Sequence, residues 1–163
     1  CYCEEWAFRY RIGRCGMSVL FTDIMTVYNH YRDRDTGAES WNRSVIRGVQ
    51  WTHNRRELST RGGVQTETKV ESITVDFQRN YGNKPYLPPQ EYALLSTEES
   101  KKYWTLDSRG GTDMVVQGIV EKAIGKEYKL AELKKDFQYA AVVETVSDNR
   151  NRPRLKTIKL TGK

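Results

Sequence analysis

Apolar and β-branched residues recur along this chain in short clusters divided by Gly, Pro, Asn and Asp. Ile24 to Tyr31 (IMTVYNHY) has β-branched and aromatic residues at the density of a strand. Asp33 to Gly37 (DRDTG) reads as a turn. Trp41 to Trp51 (WNRSVIRGVQW) alternates with period two. Val45, Arg47, Val49 and Trp51 fall on one face, and Ser44, Ile46, Gly48 and Gln50 on the other. Gly48 marks a bulge or a close backbone approach. Residues 53–72 (HNRRELSTRGGVQTETKVES) are polar around Gly62-Gly63 and predict a long exposed loop or a protruding hairpin. Ile73, Val75 and Phe77 then share one face of a further strand.

Tyr86-Leu87-Pro88-Pro89 is expected to be extended, because proline restricts the residue before it. Ser96-Thr97-Glu98-Glu99 has the form of a capping box and predicts a short helix over 97–103. Trp104-Thr105-Leu106, a Gly110-Gly111 turn and a buried strand from Met114 to Val120 follow. Leu130 to Lys135 predicts a brief helical turn. Tyr139 to Val146 and Leu155 to Leu160 close the chain as a hairpin around DNRNRPR, residues 148–154. Asp148-Asn149 is turn chemistry, and Pro153 belongs at a strand start or edge because it has no N–H to donate. The fold class is therefore mainly β. The expectation is one small domain, a barrel or sandwich of about six strands, with one or two short helices and long loops.

Composition adjusts this picture. The chain has 163 residues, enough for one core. Its hydrophobic fraction of 37% is low and its charged fraction of 29% high, which predicts a thin core that partner subunits would complete. Four Trp, ten Tyr and four Phe argue against disorder. No apolar run approaches the roughly 18 residues of a membrane-spanning helix, and no secretory signal is visible, so neither membrane nor export is expected. Cys1, Cys3 and Cys15 precede a cysteine-free body, which suits a reducing compartment. Their spacing fits no common zinc pattern, and free thiols are the simpler reading. The first methionine is Met17. Residues 1–16 are read as an extension outside the fold, leaving residues 17–163 as the domain.

Catalytic chemistry has little to work with, and the chain is read as a non-enzyme without cofactor or metal. His30 lies between tyrosines and reads as structural. His53, in a basic stretch, reads as a solvated loop residue, with phosphate contact as the functional alternative. Asp107 and Asp113 flank the glycine turn. Paired carboxylates can do acid–base work, but acids around a turn are usually solvated. Nucleotide-loop, hydrolase and metalloprotease motifs are missing. The net charge of +6 is spread along the chain. Two basic clusters stand out, Arg55, Arg56 and Arg61, and Arg150, Arg152 and Arg154 with Lys156. On loop tips these engage phosphates without reading bases, or meet a neighbouring subunit.

The order of motifs carries more than any one of them. TVYNHYRDRDTGAESWNRSVIRGVQW, KPYLPPQEY, YWTLDSRGGTDMVVQGI and VVETVSDNRNRPRLKTIKLTGK follow one another from residue 26 onwards. This succession resembles a poorly characterised family of small structural proteins from phages and prophages of Gram-positive hosts. The likeness covers roughly residues 22–163. It departs in an inserted Gly110-Gly111-Thr112-Asp113 turn and in the longer, polar segment 53–72. The resemblance implies a virion protein of the head–tail connector, of the head-completion (stopper- or adaptor-like) kind, lying as a neck ring under the portal. It implies a homo-oligomeric ring, hexameric or dodecameric, contacts with portal or adaptor and tail proteins, and non-specific contact with packaged DNA. The protein would reside in the virion, and in host cytoplasm during assembly. A tail terminator or minor capsid protein is the neighbouring expectation. A non-virion, sequence-independent nucleic-acid-binding domain is the expectation from a different class.

Overall fold

A computed structural model describes residues 20–61, 64–78, 84–110 and 112–163, with the side chains of 54–68 outside the description. Residues 1–16 fall outside it. Six strands among the described residues make one antiparallel sheet: β1 (Asp23–Arg32), β2 (Glu39–Arg61), β3 (Val64–Asp76), β4 (Met114–Gln117), β5 (Ala140–Asp148) and β6 (Thr157–Gly162). Among the described residues three short helices lie between them, α1 (Pro89–Tyr92), α2 (Thr97–Ser100) and α3 (Leu130–Asp136). The strand order is β1-β2-β3-β6-β5-β4, and β4 pairs back onto β1, so the sheet closes on itself.

Every strand contributes to the interior. Met25, Val27, Ile46, Val49, Ile73, Val75, Val115, Ala141, Val143, Ile158 and Leu160 are buried there together. Burying each such aliphatic side chain is worth about 1.5–3 kcal/mol before chain entropy is charged against it. Phe77, Tyr86 and Trp104 close one end. The Trp104 ring stacks on Phe77 at 5.9 Å and meets Tyr86 edge-on at 4.9 Å. A second cluster, Tyr28, Met114, Val116, Val120 and Leu133, covers the outer face of β1 and β4 with the segment that carries α3. Tyr28 Oη donates to the Lys122 carbonyl at 2.6 Å, and Thr26 Oγ1 donates to the Gly118 carbonyl at 2.7 Å. β1 is therefore buried on both faces, which explains its nearly continuous run of apolar and aromatic residues.

The turn at residues 33–37 forms as expected. Asp33 Oδ1 accepts the N–H groups of Asp35 and Thr36, and Gly37 takes φ +68°. The capping box also forms. Ser96 Oγ accepts from the Glu99 N–H, and the Glu99 carboxylate accepts from the Ser96 N–H. The helix it starts ends at Ser100 rather than at 103. α1 was not foreseen, although Pro89 at its first position is a helix-start signal. The strand expected over Met114–Val120 stops at Gln117, where Gly118 turns to φ +90°.

One expectation needs correction. The face assignment within Trp41–Trp51 fails because Gly48, at φ +74°, is an extra residue. Asp23 pairs with Val49 while Ile24 pairs with Arg47. A bulge reverses the alternation, so Ser44 and Ile46 point inward on one side of it, Val49 and Trp51 on the other, and Arg47 is exposed. Of the two forms expected for residues 53–72, the protruding hairpin is the one found among the described residues. It is the β2–β3 hairpin, whose register runs from Val49↔Val75 to Arg61↔Val64.

Candidate functional site

The hairpin is longer than the sheet it belongs to. β1 accompanies β2 only as far as Val49, and β6 accompanies β3 only from Glu71. Beyond those points β2 and β3 pair only with each other among the described residues, making a two-stranded arm. Arg55 and Arg56 fall at a break in its register. Asn54 pairs with Val70 and Glu57 with Thr68, so β2 carries one extra residue there. Such a bulge bends and twists a ribbon. Arg61 is the last paired residue before Gly62 and Gly63, which lie outside the described residues. All three arginines are thus in strand rather than loop, and their side chains are outside the description.

The root of the arm is held by one carboxylate. Glu71 Oε2 accepts the Trp51 indole N–H at 2.7 Å and lies 2.6 Å from His53 Nδ1. The His53 ring packs on Tyr139, with centroids 4.1 Å apart. His53 is therefore a strand residue rather than a loop residue, and its side chain is exposed, as expected, while making these contacts. His30 is half-buried, edge-on to Trp41 at 5.1 Å, which agrees with a structural role.

The second arginine cluster divides. Arg150 donates Nη2 to Asp148 Oδ2 at 2.6 Å, Nε to both carboxylate oxygens at 2.9 and 3.0 Å, and its backbone N–H to Oδ1 at 3.0 Å. Its guanidinium lies over the Tyr86 ring, 4.4 Å from the centroid. The hydrogen bonds from Arg150 hold the Asp148 carboxyl below its usual range, and burial pushes the Tyr86 phenol up to about 12. Arg150 therefore does not ride on the hairpin tip. It is folded back onto the aromatic end of the interior. Arg152, Arg154 and Lys156 are exposed.

Asp113 was expected to be solvated and is 1% exposed. It accepts from Asn29 Nδ2 at 2.9 Å, from the His30 N–H at 2.8 Å and from the Asp107 N–H at 3.0 Å. Desolvation pushes its carboxyl up to about 6 against those donors. Asn29 also exchanges hydrogen bonds with the backbone of Thr105, at 2.6 and 3.2 Å. Just before β4 begins, these two side chains replace the missing strand beside β1. Polar side chains there let the ladder end without stranding buried backbone groups. A cleft of about 270 Å3 borders Asp113, with His30, Arg32, Arg34, Tyr92 and Asp107 among its walls.

Among the described residues no group of three or more His, Cys, Asp or Glu side chains could hold a metal ion. No helix among them is long and apolar enough to cross a membrane. The family model described as Family of unknown function (DUF6751) matches residues 21–163. No curated protein and no solved structure matches the chain.

Proposed function

We propose that this chain, which belongs to the Family of unknown function (DUF6751) over residues 21–163, is a structural protein of a tailed phage or prophage particle. Its place is the neck, as a head-completion protein of stopper or adaptor kind, assembled as a ring between portal and tail. The closed sheet serves as a small β-barrel body and the β2–β3 arm as the device that reaches a neighbour.

One observation carries the reading. The sheet closes on itself through β4, yet one hairpin continues well beyond it with both outer edges unpaired among the described residues. A two-stranded ribbon alone in water is marginally stable. Open edges invite pairing with another chain, and head-to-tail contacts of that kind form rings where the rotation between copies closes. The order of sequence motifs from residue 26 onwards supplies the particle in which such a ring belongs.

Mass spectrometry and immunogold labelling of purified particles test the proposal. The expected result is this chain in the particle, with label at the head–tail junction. Label at the distal tail or on the capsid shell would move the protein to the tail-terminator or minor-capsid role. Absence from particles would overturn the virion reading. The exposed Arg152, Arg154 and Lys156 favour a second reading, phosphate contact, either with DNA in the ring's channel or as an independent nucleic-acid-binding domain.

A further inference from the structure

The β5 strand offers an open edge of its own. β4 pairs only with Ala140–Val142 of β5, so Thr145–Asp148 has β6 on one side and no strand on the other among the described residues. The alternation of the ladder can be fixed from one bond. Asn149 donates its N–H to the Thr157 carbonyl at 2.9 Å. Residues two and four positions earlier, Ser147 and Thr145, therefore face β6, and the N–H groups of Val146 and Asp148 face outward. Along that side runs a groove of about 350 Å3, with Tyr86, Pro88, Leu106 and Val146 in its lining and Asp107 and Arg109 at its rim.

The arm has a matching edge. The β2 side is interrupted by the bulge at Arg55-Arg56, a device that discourages pairing. The β3 side, residues 64–70, has no such interruption. Its sequence alternates β-branched Val64, Thr66, Thr68 and Val70 with Gln65, Glu67 and Lys69, the pattern of a strand with one face covered. Charge agrees as well. Residues 54–70 hold four basic and two acidic side chains, whereas the charged residues lining the groove are Asp107, Asp148 and Arg109, two acidic and one basic.

We propose that the 64–70 edge of the arm pairs, as an added strand, with the Thr145–Asp148 edge of β5 in a second copy of this chain. The proposal rests on the ring reading above and names its contact. A chain cannot satisfy it alone. The arm leaves the sheet at the level of Glu71, Gly162 and Val143, and the β5 edge runs the other way, to Asp148 beside Ile158 and Val75. The contact joins two different patches, so it propagates from copy to copy instead of ending at a dimer.

The test uses cysteines at Thr68 and Ser147 in a chain whose Cys1, Cys3 and Cys15 are replaced by serine, with mild oxidation and non-reducing gels. A chain carrying both Thr68→Cys and Ser147→Cys is expected to give a ladder of cross-linked oligomers. An equimolar mixture of the two single variants is expected to stop at dimers. Val146→Pro, which removes an outward N–H and spares the β6 ladder, is expected to lower the mass seen by light scattering with circular dichroism unchanged. Oligomers without the Thr68–Ser147 cross-link would overturn this contact and leave the ring reading standing. A monomer at every concentration, without cross-links, would overturn both. A cross-linked ladder from a chain absent from purified particles would overturn the virion reading and leave the contact standing.

Discussion

His53 and Glu71 face each other across the root of the arm, Nδ1 to Oε2 at 2.6 Å, and the same oxygen receives the Trp51 indole N–H. Trp51 is 7% exposed, so losing its acceptor leaves a nearly buried N–H unsatisfied, at a cost of about 1–3 kcal/mol. Glu71→Ala is expected to destabilise the protein by about 2 kcal/mol in urea unfolding, and Glu71→Gln, which keeps a carbonyl acceptor, by less. Hydrogen exchange adds a discriminating reading. Amides of the arm should exchange faster in Glu71→Ala while those of β1 keep their relative protection. Equal acceleration everywhere would show that the carboxylate does not act locally on the arm.

Asp113 sets a pH dependence of the opposite sense to most carboxylates. Burial raises its pKa from 3.8 to about 6 in the folded state. A folded-state pKa above the unfolded value gives a contribution that is complete below about pH 4 and lost as pH rises through about 6. Its size is about 3 kcal/mol, from roughly two pH units at about 1.4 kcal/mol each. Asp33, Asp136 and Asp148, whose pKa values are lowered, pull the other way as pH falls. The clean measurement is therefore the stability difference between wild type and Asp113→Asn. Wild type should lose ground to the variant by about 3 kcal/mol between pH 4 and pH 7. A difference that does not change with pH would remove Asp113 from this role.

The arginines of residues 150–154 should separate by function. Arg150→Ala removes an ion pair and a cation–π contact, each worth about 0.5–1 kcal/mol where partly exposed, and is expected to cost about 1–2 kcal/mol of stability. Arg152→Ala and Arg154→Ala, at exposed positions, should stay within about 0.5 kcal/mol of wild type. If the turn meets DNA, the Arg152/Arg154 double variant weakens duplex binding and flattens its salt dependence without a change in melting temperature. Identical melting losses for all three single variants would contradict this division.

Gly162 lies where β6 passes β5. A Cβ there would stand 2.5 Å from the Val142 carbonyl oxygen and 3.0 Å from Ala141 Cβ. The obstacle is backbone, so the strands must separate for any larger residue. Gly162→Ala is expected to cost about 1–3 kcal/mol. Thermal unfolding reads the effect, and a melting temperature equal to wild type would show that the pairing of Val143 with Gly162 is dispensable.

What could be read from the sequence was what short-range chemistry decides. The Asp33–Gly37 turn, the Ser96–Glu99 capping box, the strand through Ile24–Tyr31 and the final hairpin all announce themselves within a few residues. The bulge at Gly48 was visible as a glycine inside a strand pattern. Its effect on the faces was not, because the alternation of Val45, Arg47, Val49 and Trp51 looks unbroken until the register with β1 is known. Asp113 and Arg150 were misplaced for a related reason. The partners that bury Asp113 include Asn29, 84 residues away, and the ring beneath Arg150 is Tyr86, so no local pattern could announce either. The polar arm read equally as loop or hairpin, since a ribbon covered by no other strand has no apolar stripe to betray it.

Closure of the sheet also orders events in time. β1 finds β4, and β3 finds β6, only across about ninety residues of chain. Pairings so distant close large loops and set a slow pace for the whole. The β2–β3 hairpin needs only its own turn, and hairpins form within about 1–10 μs. The part of the molecule that reaches furthest from the body is thus, like the β1–β2 and β5–β6 hairpins, able to form early. Its β3 strand then serves as a template on which the β5–β6 hairpin docks.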